Sequence, residues 1–355
     1  MDSKEVSALK KRTVLQVQHG TMIFGKGRSA KTVLWDINFT VIAGEIVAIL
    51  GPSGCGKSTL LRAIGGMEPF TEGQVMLFGA AGKEIPRQIK KPSEDIGIVY
   101  QDYGILPHLT AIENVAIGPK LFESSICDRA FRFVPLARQR RGARMSWANL
   151  RKLQLDEAAA MLEKFGLGDA KDKYPYQLSG GMKQRVAIAQ ALIMKPRVLL
   201  MDEPFSGLDE KTKDEFLMLL LNIYKENIEK IRKGEQPLTV IIVTHQIEDA
   251  ILVGDSVIGV SKFWDHESPD PRAEGAATVV YDRASPVFVD TRDKDHPLLA
   301  EQKAEIFGVV FNPDNKCPRD RYRLFWEDII EGKGRGVLNG KEICTASAEG
   351  GGKDG

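Results

Sequence analysis

Three observations predict an α/β fold built on a mostly parallel sheet with helices on both faces. Short apolar runs at GEIVAIL (44–50), VLLM (198–201) and TVIIV (239–243) have the composition of strands buried on both sides. Helical patterns alternate with such strands, which calls for parallel pairing through helical crossovers. The chain has 355 residues and 43% hydrophobic content, enough for a large core and for two or three domains.

In chain order, the first 82 residues or so read as strands around a glycine-rich loop. In residues 33–41 apolar side chains alternate at Val33, Trp35, Ile37, Phe39 and Val41, which predicts a strand with Trp35 in the core, and VMLF (75–78) is another short strand. IGIVY (96–100) is a further strand, after which residues 101–180 read as mainly helical. There Thr110 and Glu113 have the spacing of a capping box, marking a helix start soon after Pro107. An amphipathic helix is expected over 155–165, stopped by Gly166, and another over 182–194, closed by Lys195 and Pro196. A long helix over 211–233 ends at Gly234. Past Lys262 the chain turns rich in Pro, Asp and Gly, with strand-like pieces at ATVVY (277–281) and EIFGVVF (305–311).

The string GPSGCGKST (51–59) lies between an expected strand and an expected helix. Glycines at 51, 54 and 56 let the backbone turn its N–H groups inward around an anion, and the helix that follows adds its positive dipole end. Gly51, Pro52, Ser53, Gly54, Cys55, Gly56, Lys57, Ser58 and Thr59 are therefore the expected phosphate cradle of a nucleotide. Lys57 is expected to reach the β- and γ-phosphate oxygens and the Ser58 hydroxyl to ligate Mg²⁺. Cys55 reads as a space-filler. Downstream, Asp202 and Glu203 end the strand 198–201 and are followed by SGLD (206–209). A carboxylate at the carboxyl end of a buried strand suits a divalent cation, which assigns Mg²⁺ to Asp202. Glu203, one residue on, is expected to point elsewhere by the alternation of an extended chain and to act as the base for the attacking water.

With LSGGMKQR (178–185) these motifs resemble the nucleotide-binding subunit of an ATP-binding-cassette (ABC) transporter, over roughly residues 14–260 and in the family's order. The resemblance implies a P-loop NTPase of the ABC type: an ATPase domain over 1–262, a helical subdomain at about 101–180, and an extension over 263–355. It also implies that Ser179, Gly180 and Gly181 face the γ-phosphate of an ATP held by a second protomer. The residues are consistent with that role, since Ser179 suits an N-cap and two glycines permit close backbone approach. By the same resemblance Gln101 touches metal and water and senses the membrane partner, His245 contacts the γ-phosphate, and Asp209 links the two sites across the dimer. An aromatic near the N-terminus stacks on adenine in this family; Phe24 is chosen over His19 and Trp35.

ATP, Mg²⁺, membrane permease subunits, a second ATPase subunit and a substrate-binding protein in the complete transporter are the implied companions. The implied role is energising import of a small anion of the nitrate, sulfonate or taurine kind, at the cytoplasmic face of a membrane. The alternative is a soluble ABC ATPase in a non-transport process. A generic P-loop kinase or GTPase leaves LSGGMKQR unexplained.

A formal net charge of +1 provides no basic footprint for nucleic acid. No run approaches the ~20 apolar residues that span a bilayer, and the start MDSKEVSALKKR lacks a signal peptide's apolar core. Four cysteines, Cys55, Cys127, Cys317 and Cys344, are too scattered for a zinc site and suit a reducing compartment. An insertion at about 124–153 carries Arg129, Arg132, Arg138, Arg140, Arg141, Arg144, Arg151 and Lys152 with no acidic residue between them. Between contact with an anionic surface and a solvated excursion, the second reading is preferred.

Overall fold

The structure, a computed structural model, describes residues 13–79, 85–123, 147–264, 270–285, 297–314 and 316. Its strands are β1 (Thr13–Phe24), β2 (Lys31–Ile42), β3 (Ile46–Leu50), β4 (Glu72–Leu77), β5 (Arg87–Gln88), β6 (Ile96–Val99), β7 (Val198–Asp202), β8 (Thr239–Thr244), β9 (Ser256–Ser261) and β10 (Thr278–Ala284). The α-helices are α1 (Lys57–Ile64), α2 (Ala111–Val115), α3 (Ile117–Glu123), α4 (Trp147–Lys164), α5 (Gly180–Leu192), α6 (Glu210–Arg232), α7 (Ile247–Val253) and α8 (Pro297–Ile306). Two compact units divide the chain: 1–93, 200–205 and 217–355 form the first, and 94–199 with 206–216 the second.

In the first unit, β3 and β8 consist wholly of buried residues, as their unbroken apolar composition demands of strands covered on both faces. β3 pairs in parallel with β8 on one side and β9 on the other, and β7 lies beyond β8. Each buried aliphatic side chain there contributes about 1.5–3 kcal/mol over its exposed state. The buried Glu45, just before β3, is satisfied by the Ser256 hydroxyl at 2.6 Å and the Ile42 N–H at 3.1 Å. A separate antiparallel sheet runs β2-β1-β4-β5. Trp35, expected in the core, is only half-buried; the Arg272 guanidinium lies over its ring at 5.3 Å.

Described residues after 262 belong to this unit. ATVVY lies in β10, antiparallel to β9, but EIFGVVF is not strand: it is the end of α8 and a π-helical turn, Phe307–Phe311. The run is apolar because Ile306 and Val310 enter a buried cluster with Ala48, Leu50, Ile251 and Trp264. Periodicity alone does not separate a short buried strand from a buried helix end. The glycine-rich terminus, Cys127, Cys317 and Cys344 lie outside the described residues.

In the second unit the Asp95 carbonyl, just before β6, accepts from the N–H groups of Arg197 at 2.8 Å and Val198 at 3.0 Å. Thr110 caps α2 with both arms of the capping box formed. α4 starts at Trp147, eight residues ahead of the expected 155, so Arg151 and Lys152 are helical residues and not part of an excursion. Arg151 lies 3.9 Å from Glu113. The six arginines from 129 to 144 lie outside the described residues. Among the described residues no helix is long and apolar enough to cross a membrane.

Candidate active site

The site of the first unit gathers where β3, β7 and β8 end. β3 runs into the loop 51–56, and α1 starts at Lys57 behind Gly56, whose φ of 99° puts it in the left-handed region. A Cβ on Gly51 would collide with the Val260 carbonyl, and one on Gly56 would stand 2.9 Å from both Val33 and Leu34. Gly54 (φ 73°) is different: nothing lies within 4 Å of its Cβ position, so the loop's tip is open. Among the described residues the N–H groups of Gly54, Gly56, Ser58 and Thr59 have no backbone acceptor, and α1 has no side-chain cap. This is a cradle of donors on open space at a helix N-terminus, the arrangement that binds phosphate.

Lys57 is buried at 7% exposure, its ammonium donating to the carbonyls of Gly51 (2.8 Å) and Pro52 (3.1 Å). The Ser58 hydroxyl donates to Asp202 at 3.1 Å, joining the two residues expected to hold Mg²⁺. Burial pushes the Asp202 carboxyl above its usual range, against the opposing pull of the Ser58 hydroxyl, Arg62 and Lys57. A carboxylate desolvated in this way gains from a cation beside it, so these donors fit a hard divalent metal. Burial also raises the Cys55 thiol, which fills space behind Gly51 and is the opposite of an activated thiolate.

Glu203 departs from the expected geometry. β7 stops at Asp202, and Glu203 adopts φ 50°, a left-handed conformation costing about 1–2 kcal/mol in a non-glycine residue. Its direction is set by this kink and not by strand alternation. Its N–H donates to Val243 at 2.8 Å, and its Oε2 lies 2.7 Å from Nδ1 of His245, placed just past β8. Glu203 is the less exposed partner, at 15% against 46%. Strain held by the neighbouring strand at a carboxylate is a common mark of a functional position. Phe24 ends β1 with 40% exposure; His19 pairs with Asp36 at 2.8 Å.

The remaining expected residues belong to the second unit. Ser179 caps α5, accepting from the Met182 N–H at 3.3 Å, while the space at Gly180 is open except for the Tyr103 hydroxyl at 3.9 Å. At Gly181 a Cβ would overlap the Thr212 methyl. Gln101 is exposed beyond β6. Asp209 is engaged within its own chain: its carboxylate accepts from the Thr212 N–H (3.0 Å) and hydroxyl (2.7 Å), capping α6. Those bonds hold its carboxyl below the usual range. Thr212 was not among the residues expected from sequence, although an Asp three residues before a Thr at a helix start is a capping pattern that points to it.

Known proteins are similar to this chain. Residues 34–206 match the family described as ABC transporter. The chain is 36% identical over 249 residues to the taurine import ATP-binding protein TauB of Escherichia coli O157:H7, covering 70% of this chain and 80% of that protein.

The chain belongs to the ABC transporter family.

Within it the chain is an ATP-binding subunit that hydrolyses ATP to energise transport. Similar solved structures include the ATP-binding cassette MJ0796, a dimer in a post-hydrolysis state bound to ADP and Pi, at TM-score 0.54 and 28% identity over 76% of this chain and 98% of that one. Another is cbiO1 from Clostridium perfringens, part of the ABC transporter complex cbiONQ, at TM-score 0.51 and 25% identity over 76% and 88%. This ABC ATPase shares their P-loop NTPase fold.

Proposed function

We propose that this ABC ATPase powers import of a small anion of the sulfonate, nitrate or taurine kind, working as a dimer peripheral to the cytoplasmic face of a membrane. The observation carrying the site assignment is the pairing of Ser58 with Asp202 and of Glu203 with His245 where β3, β7 and β8 end beside the open loop. The loop 51–59 holds the ATP phosphates through its N–H groups, Lys57 leaves its carbonyl partners for the β- and γ-oxygens, and Phe24 stacks on adenine. Ser58 and Asp202 would hold Mg²⁺, which when bound would offset negative charge on the phosphates, and Gln101 is the further metal contact that the family resemblance implies. Glu203 orients and deprotonates the attacking water, and His245 keeps that carboxylate placed while reaching the γ-phosphate.

Ser179, Gly180 and Gly181 close on the ATP held by the second protomer, and Asp209 links the two sites. Hydrolysis removes the shared γ-phosphate and lets the dimer open, so that chemistry times a conformational cycle in the permease. The domain reading is an ATPase domain over 1–262 and an extension over 263–355. Similarity to a taurine import protein supports both the import direction and the anion class; the complete transporter then includes a substrate-binding protein.

The test is phosphate release per protomer against protein concentration, with and without a co-expressed permease. The rate is expected to rise with concentration and with the permease. A full rate from an isolated monomer, independent of both, overturns the reading. Sulfonate uptake lost on deleting the chain supports the cargo class, and unchanged uptake of taurine, other sulfonates and nitrate overturns it.

A further inference from the structure

The segment after β9 reaches both walls of the phosphate loop within the first unit. On one side Ala277 bonds to β2 twice: its N–H donates to Val33 at 2.9 Å and its carbonyl accepts from Trp35 at 2.8 Å. Val33 and the intervening Leu34 are the side chains that press on Gly56. On the other side the π-helical turn leans on β9. The fully buried Val310 occupies the place a Cβ on Gly259 would take, and its carbonyl accepts from the Ser261 hydroxyl at 2.7 Å. Between Gly259 and Ser261 stands Val260, whose carbonyl fills the Cβ position of Gly51. The Cys55 thiol lies 2.8 Å from that same position. A continuous column of contact thus runs from Val310 through β9 to the first glycine of the loop.

The two walls are joined to each other. Residue 277 leads straight into β10, which pairs with β9, and Trp264 donates its indole N–H to Ala276 at 2.9 Å. Trp264, Val280, Leu299, Ile306 and Val310 bury together with Ala48 and Leu50 of the strand that leads into the loop. Packed interiors transmit small displacements because they have little free volume.

We propose that Trp264 with the described residues 270–285 and 297–311 forms a clasp that sets the width of the loop 51–56, with Val310 as its positioning residue. This rests on the reading of 51–59 as the ATP phosphate site. Val310 touches no nucleotide; it acts by holding β9 against Gly51.

The experiment uses the full chain and measures affinity for a fluorescent ATP analogue together with KM and kcat. Val310→Ala is expected to weaken nucleotide affinity roughly three- to tenfold, the range for coupled neighbours, with the loss in KM and not in kcat. Ser261→Ala, which removes only a hydroxyl, is expected to move affinity the same way by less. Leu220→Ala, a cavity in α6 of the same unit, controls for general loosening and is expected to lower Tm while leaving affinity unchanged. An affinity in Val310→Ala equal to that of Leu220→Ala overturns the clasp. Lys57→Ala separates the two claims: unchanged affinity there overturns the phosphate site and the clasp with it. Lost affinity there alongside unchanged affinity in both Val310→Ala and Ser261→Ala overturns the clasp alone.

Discussion

The loop 51–59 leading into α1 and the turn leading into α5 are both helix N-termini stripped of bulky side chains, yet they are finished to different degrees. At α1 the cap is Gly56, which offers no side-chain cap, and Lys57, Ser58 and Asp202 already stand around the opening. At α5 the Ser179 hydroxyl caps the helix from within, Gly180 faces open space, and the Arg185 guanidinium donates to the Gly181 carbonyl at 3.4 Å. The first end has its ammonium, hydroxyl and carboxylate from its own chain, and the second is open at Gly180. Under the proposed reading the second end takes its ligand from another protomer, which would tie hydrolysis to association.

The strongest way to break the comparison is Glu203→Gln. The amide keeps the shape but not the basicity, so phosphate release is expected to fall about 10²- to 10⁴-fold while ATP binding persists and a closed dimer accumulates on size exclusion. Near-parental turnover would move the base elsewhere. Next comes Lys57→Ala, which removes the loop's only ammonium; ATP affinity, read by titration calorimetry, should drop about 10- to 100-fold, the size of one or two charge-assisted hydrogen bonds. Dimer-independent properties of α5, such as its helicity, should not change.

A finer test lies in the adjacent glycines. Gly180→Ala is expected to stabilise the helix by about 0.5–1 kcal/mol in thermal melts, because its surroundings are open, yet to reduce ATP-dependent dimerisation. Gly181→Ala should instead destabilise by about 1–3 kcal/mol through overlap with Thr212. Equal effects of the two would erase the distinction between an approach surface and a packing contact. The smallest effect concerns Asp209. Its folded carboxyl is held below the ordinary value of 3.8, so its cap stabilises α6 above that pH and is lost as pH falls through the lowered value. Thr212→Val should flatten the acid limb of a pH–Tm curve slightly; an unchanged limb would show that the cap contributes little.

The motifs were legible because backbone chemistry places them locally. Lys57 follows Gly56, whose left-handed turn favours glycine, and Ser179 precedes a helix it caps, so neither needed distant residues to be recognised. Glu203 was legible as a residue but not as a geometry. Its kink comes from the chain leaving β7 while its N–H stays bound to Val243, a partner forty residues on. The same limit hid the start of α4, where Arg151 and Lys152, read as part of an excursion, are helical, and disguised the α8 end as a strand. In both cases the deciding contacts lie far along the chain, with Glu113 near Arg151 and β9 against Val310.

The order of residues alone determined the alternating α/β plan, the glycine-rich loop, the paired acids and the cap of α5. Each depends on neighbours within a few positions, through φ restrictions, dipoles and capping. Only the tertiary structure decided that Glu203 meets His245, that Asp209 holds its own helix, and that Ala277 and Val310 touch the strands flanking the loop 51–56. Those are contacts between strands and turns distant in sequence, selected by burial in one shared core, and no local preference encodes them.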